Sequence, residues 1–122
     1  KQYDQFKNWI DLITVHGSSH GEVVKNLSGV LLVSNMSNND FNYDDKCINM
    51  FTIYKNNLIG FITQYRIGNK DMICMTPGVS HLNHSVNDQR YRNISEIDTD
   101  IFIIGRAIYN SDNYVESIQR FL

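Results

Sequence analysis

Five short runs of Ile, Val and Leu recur along this chain: IDLITVH from Ile10, GVLLVSN from Gly29, LIGFITQ from Leu58, DMICMTPG from Asp71 and DIFIIGR from Asp100. Runs this apolar and this short read as strands buried on both faces, the condition of a strand inside a parallel sheet. Helical patterns lie between and after them. SSHGEVVKNL sets Ser19 and Glu22 at capping-box spacing, with Val23, Val24 and Leu27 as an apolar stripe. DDKCINMFTIYKN from Asp44 spaces Ile48, Phe51 and Tyr54 along one helical face, and SDNYVESIQRFL offers Asp112 as a cap with Tyr114, Ile118 and Phe121 facing inward. Strands alternating with helices in short units predict an α/β fold, a parallel sheet with helices packed outside it. The opening KQYDQFKNWIDLI reads as the tail of a helix running into a strand, so the expectation is a piece of something longer.

The totals exclude several classes of function. At 122 residues and 42% hydrophobic the chain fits one globular domain. Its formal net charge of −2, with 11 basic residues scattered rather than banded, gives no footprint for nucleic acid. No apolar run approaches the roughly 20 residues that cross a bilayer, so no membrane partner is expected. Cys47 and Cys74 have no spacing that suggests a disulfide framework or a zinc knuckle, which fits a reducing, cytoplasmic location.

The functional signal is where the polar residues fall. His16 and Gly17, Asn35 and Ser37, Gln64, Thr76 to Gly78, and Gly105 with Arg106 all follow an apolar run. In parallel α/β folds, ligands bind at the carboxyl ends of the strands. The loop MTPGVSHLNHSVNDQRYRN, from Met75 to Asn93, leaves one of these ends and closes on Gln89, Arg90, Tyr91 and Arg92. An amide, a phenol and two guanidinium groups suit an anionic ligand. Arg106, directly after Gly105, adds a third guanidinium where the backbone permits close approach. Ser37 lacks a GxSxG elbow and reads as a hydrogen-bonding group rather than a nucleophile. His81 and His84 have HxxH spacing but no third ligand at fixed spacing, so no metal site is assigned. His16 reads as a packed, hydrogen-bonded histidine, Tyr54, Tyr65 and Phe121 as packing residues, and Asp44 to Lys46 as the charged start of a helix.

IDLITVHG, VLLVSNMS, IGFITQY, MTPGV, NDQRYR and DIFIIGRAIY, in that order, closely resemble the carboxyl-terminal half of orotidine 5'-phosphate decarboxylase, over Trp9 to Tyr109. The resemblance implies a TIM-type βα barrel of which residues 1–122 carry the last five βα units. It implies conversion of orotidine monophosphate to uridine monophosphate and carbon dioxide without cofactor or metal, in a homodimer once the barrel is complete. It further implies that Tyr91 and Arg106 hold the phosphate with backbone N–H groups near Gly105, that Gln89 bridges phosphate and pyrimidine, and that Ser37 bonds the base. Pro77, Gly78 and Val79 would begin a loop that closes over the nucleotide. Asn87 stands where many relatives have glycine, and NISEIDTD is shorter than the family's usual helix. The family's catalytic DxKxxD motif does not occur in these 122 residues, so no catalytic residue is assigned here and the amino-terminal strands become an expected partner, in the same chain or another. The alternatives are another sugar-phosphate barrel decarboxylase and a non-catalytic half barrel that serves as a binding or structural partner.

Overall fold

A computed structural model describes residues 2–38, 40–80, 84–86 and 89–122, except the side chains of 84–86, 89 and 90. After helix α1 (Gln2–Phe6), the strands β1 (Ile13–His16), β2 (Val30–Val33), β3 (Leu58–Ile62) and β4 (Ile73–Thr76) follow, with helix α2 (Asp44–Ile53) between β2 and β3. The segment after β4 forms β5 (Val79–Ser80), β6 (His84–Val86) and β7 (Gln89–Asn93). The chain then ends in β8 (Ile101–Phe102), α3 (Arg106–Tyr109) and α4 (Tyr114–Gln119).

Five strands form one parallel sheet in the order β1-β2-β3-β4-β8, and three short strands form a second in the order β5-β7-β6. The main sheet contains the five expected runs, each added beside its predecessor. Because the order never reverses, right-handed crossovers place the connections on one face. That face carries the larger core, where Val30, Leu32, Phe61 and Cys74 meet Val24, Cys47, Met50, Ile67 and Met72, with Ile48 and Phe51 of α2 and Tyr54 just after it packed around them. The opposite face carries a smaller cluster of Leu31, Ile62 and Met75.

The two faces exchange residues once. Val30 pairs with Leu58 but Leu31 pairs with Gly60, so Ile59 is an extra residue and the in-out alternation of β3 flips there. A Cβ on Gly60 would lie 1.8 Å from the Ile73 carbonyl oxygen, so only glycine lets β3 and β4 approach this closely.

Several expectations are corrected. Of the five strands of the main sheet, β2, β3 and β4 are largely buried; β1 alternates and β8 is exposed, because both are edges of the sheet. The SSHGEVVKNL segment forms a single 3-10 turn, Gly21–Val24, in which His20 rather than Ser19 is the cap, its Nδ1 accepting from the Glu22 N–H at 3.3 Å. Gly21, two consecutive valines and Asn26 are poor helix formers, which accounts for the short turn. Asn113, not Asp112, caps α4 by accepting from the Glu116 N–H at 3.1 Å. Tyr114 and Ile118 face outward, and the buried residue of α4 is Ser117, whose hydroxyl donates to the Ala107 carbonyl at 2.6 Å. NISEIDTD contains one 3-10 turn, Ile94–Glu96.

Replacing Gly60 with alanine should force β3 and β4 apart and destabilise the fold by about 3 kcal/mol, the upper part of the range for overpacking. A urea midpoint equal to that of the wild type would show that the Ile73 peptide yields freely.

Candidate functional site

Parallel pairing brings the residues that follow the strands to one edge of the main sheet, where they form two clusters. The first is a cleft of about 190 Å³ between the β4–β5 turn, β7 and the segment after β8. Pro77, Gly78 and Val79 line one side of it, Tyr91 a second, and Gly105 with Arg106 a third, beside Ile103 and Tyr109. Gly78 turns the chain at φ +71°, a conformation that glycine adopts without strain, and starts the short β5, whose Val79 and Ser80 pair with Arg92 and Asn93. Tyr91 is 7% exposed and Arg106 opens α3 in solvent. A Cβ on Gly105 would meet only the Tyr109 ring, at 3.5 Å, so the space beside this residue belongs to the cleft. The described ion pairs use Asp4, Glu22, Asp98, Asp100 and Glu116, none of them with Arg106. An exposed guanidinium, a phenol and the N–H groups of a helical first turn are groups whose chemistry can accommodate an anion.

The second cluster is a polar network behind the ends of β2 and β3. Asp44 accepts from the Ser34 hydroxyl at 2.5 Å and the Asn35 amide at 2.8 Å on one oxygen, and from the Tyr65 phenol at 2.8 Å and the Asn42 amide at 3.2 Å on the other. Asn35 also donates to Thr63 at 2.9 Å, and its carbonyl accepts the Gln64 N–H at 2.7 Å. Burial pushes the Asp44 carboxyl up, but the hydrogen bonds from Ser34, Asn35, Tyr65 and Asn42 outweigh it and hold the group below its ordinary value. The bond to that carboxylate raises the Tyr65 phenol. These contacts close the base of the loop from Asn35 to Asn42, where the two residues also pair as an isolated antiparallel bridge. Within this loop the Ser37 hydroxyl is buried with no hydrogen-bond partner among the described residues, which is the state of a group that a ligand would satisfy.

A larger groove of about 730 Å³ runs along the outer edge of β1. Its walls are Ile13, Val15, Val23 and Leu27, and its charged groups are Asp4 and Glu22. Apolar walls with acidic residues disfavour an anion, so size does not make it the functional site.

The structure therefore brings together six of the eight residues that the sequence singles out: Pro77, Gly78, Val79, Tyr91, Gly105 and Arg106. Ser37 sits apart from them on the β2–α2 loop. Gln89 begins β7, but its side chain, that of His84, and the whole of His81 and Asn87 lie outside the described residues. His16 is exposed rather than packed away, with Nδ1 2.8 Å from the Ser18 hydroxyl and its ring against Phe41 and Tyr43. Tyr65 is 44% exposed and serves Asp44 instead of packing. Sequence reasoning missed Asp44 as a hub; the available signal was the Asn-x-Asp at the helix start, where Asn42 also accepts the Asp44 N–H at 2.9 Å. Among the described residues no helix is long and apolar enough to cross a membrane, and no group of three or more His, Cys, Asp or Glu could hold a metal ion.

The family model described as orotidine 5'-phosphate decarboxylase / HUMPS family matches residues 1–121. The chain belongs to this family. Uridine 5'-monophosphate synthase of Caenorhabditis elegans is 26% identical across 93% of this chain and 28% of its own length. The orotidine 5'-phosphate decarboxylase of Pichia kudriavzevii is 28% identical across 93% of the chain and 52% of its own length, and that of Candida parapsilosis 30% across 83% and 46%. The chain thus spans about half or less of the decarboxylase / HUMPS family relatives it matches. Both the parallel α/β sheet and the family agree with the sequence reading.

Asp44 makes stability depend on acid. An unfolded aspartate titrates near about 3.9, and the native group lies lower. Its contribution is therefore complete above the unfolded value and lost as pH falls through the native one. The difference in urea midpoint between wild type and Asp44→Asn should hold constant above that value and narrow below it. A gap that stays constant into strong acid would mean that the four bonds do not favour the ionised carboxylate.

Proposed function

We propose that these residues are the carboxyl-terminal part of an orotidine 5'-phosphate decarboxylase, the last five βα units of a barrel. In this reading the chain supplies phosphate and base recognition. Arg106 and Tyr91 hold the phosphate, with N–H groups near Gly105; Gln89 links phosphate to pyrimidine; Ser37 bonds the base; and Pro77, Gly78 and Val79 begin the loop that closes. The observation that carries the reading is the cleft in which Pro77, Gly78, Val79, Tyr91, Gly105 and Arg106 meet. The buried, unpartnered Ser37 hydroxyl supports the base contact, since such a group costs stability unless something bonds to it.

The phosphate lies far from the bond that breaks, so its binding energy acts by closing the loop and holding the substrate for a transition state rather than by direct chemistry. The proton donor for the carbanion left by carbon dioxide, and the carboxylate that disfavours the substrate's own, belong to the DxKxxD array of the amino-terminal strands. That array does not occur in these residues. The rival reading is a half barrel without catalysis that binds another chain. In both readings the open edges β1 and β8 and the smaller apolar face are covered by further strands.

Arg106→Ala should weaken uridine monophosphate binding by about 10- to 100-fold, from the loss of about 1.5–3 kcal/mol of charge-assisted contact, and leave uridine binding nearly unchanged. Equal losses for both ligands would make Arg106 a support of the fold instead. A second experiment separates the enzyme from the half barrel. These 122 residues refolded alone should not turn over orotidine monophosphate, and refolding with a polypeptide that bears the first three strands and the DxKxxD array should restore turnover. Assembly without turnover would favour the non-catalytic reading; turnover by the 122 residues alone would overturn the division of labour.

A further inference from the structure

The returning arm of the loop after β4 is the strand β7, and successive side chains of a strand point to opposite faces. Tyr91 faces the cleft. Its neighbour Arg92 turns the other way, and its guanidinium donates to the Gln64 carbonyl oxygen at the end of β3, with a longer approach of 3.4 Å to the Gln64 side-chain oxygen. The Arg92 N–H donates to the Gly78 carbonyl at 3.0 Å, which ties the two arms of the loop to each other. Gln64 is a fixed point. Asn35 accepts its N–H at 2.7 Å, Asn35 is held in turn by Asp44 and Thr63, and the Gln64 amide reaches the Pro77 carbonyl at 3.4 Å. One chain of hydrogen bonds thus runs from the loop that carries Ser37 to the loop that carries Tyr91.

The acceptors described for the Arg92 guanidinium are both on Gln64 and both neutral. Burial pushes the guanidinium down, and the Glu96 carboxylate nearby offsets part of that effect. We propose that Arg92 is a positioning residue for the anion cleft: it docks β7 on the end of β3, so that Tyr91 is held facing Arg106. This rests on the reading of the cleft as a phosphate site. It assigns to Arg92 no contact with the ligand; the residue acts through Tyr91.

The test is calorimetric titration of uridine monophosphate and uridine into the complete polypeptide that carries these residues, as wild type, Arg92→Met, Arg92→Lys, Tyr91→Phe, Arg92→Met with Tyr91→Phe, and Arg106→Ala. Arg92→Met should weaken uridine monophosphate about tenfold and leave uridine unchanged, and Arg92→Lys, which keeps one donor for Gln64, should recover most of the loss. Because Arg92 acts through Tyr91, the double variant should lose less than the two single losses combined. Additive losses, equal losses for uridine, or unfolding of both the Met and the Lys variant would overturn the proposal. If Arg106→Ala weakens uridine monophosphate and Arg92→Met does not, only the role of Arg92 fails. If Arg106→Ala leaves that affinity intact, the phosphate reading of the cleft fails and the proposal with it.

Discussion

A parallel sheet whose strands are added in chain order has one edge at which every strand ends, and this constraint organises the molecule. Each crossover returns the chain to the start of the next strand, so the starts are occupied by connections and the ends are free to carry side chains. The ends of the three central strands are also where the polar residues are buried: Ser34 and Asn35 after β2, Thr63 and Gln64 after β3, and Thr76 at the end of β4 are all at most 9% exposed. Polar groups at such depth are tolerated because they are hydrogen-bonded, those after β2 and β3 to one another and to Asp44 and Thr76 to Thr99, and a satisfied network of this kind has one geometry. The edge is therefore rigid behind and open in front. Loops anchored on it present their side chains to solvent from a fixed base.

That division explains how a site can be spread over residues far apart in the chain. Ser37 lies on the loop after the second strand of the sheet and Arg106 at the start of α3 after the fifth, and the two segments do not pair with each other as strands. Asn35, Gln64 and Pro77 link the Ser37 loop to the turn after β4, and that turn lines the cleft with Arg106. Placing recognition groups on loops and their supports on strand ends lets the loops vary while the support stays constant.

The five strands and their direction were legible in the sequence because an apolar run flanked by polar residues has few other ways to hide both faces. So were the cleft residues, because Gly105, Arg106 and the TPGV turn follow such runs directly. The helices were read less well. The capping-box spacing at Ser19 failed because His20 makes a competing side-chain bond to the same N–H group, and a run with Gly21 and Asn26 offers little beyond one turn. Tyr114 and Ile118 show the apolar period of a buried face, yet among the described residues nothing covers them. Periodicity says which residues would share a surface, not whether the surface has a partner. Asp44 was legible as a helix start but not as a hub, because its partners Ser34, Asn35 and Tyr65 come together only when β2 and β3 pair.

The last strand is secured in an unusual way. β8 matches β4 over two residues only, Ile101 with Met75 and Phe102 with Thr76. Beside this short ladder, Arg66 grips Asp100 with two guanidinium nitrogens and reaches Asp98, while Asp100 accepts the Cys74 N–H at 2.8 Å. The segment that bears Gly105 and Arg106 thus hangs from a joint in which these charges stand beside backbone bonds from Asp100 to Cys74 and from Ile103 to Thr76 and the Thr99 bonds to Cys74 and Thr76. Such pairs weaken as dissolved salt screens them, whereas the apolar packing of β2 and β3 does not. The ionic strength of the surroundings therefore acts on one part of the joint that holds β8 to β4, and leaves its backbone bonds in place.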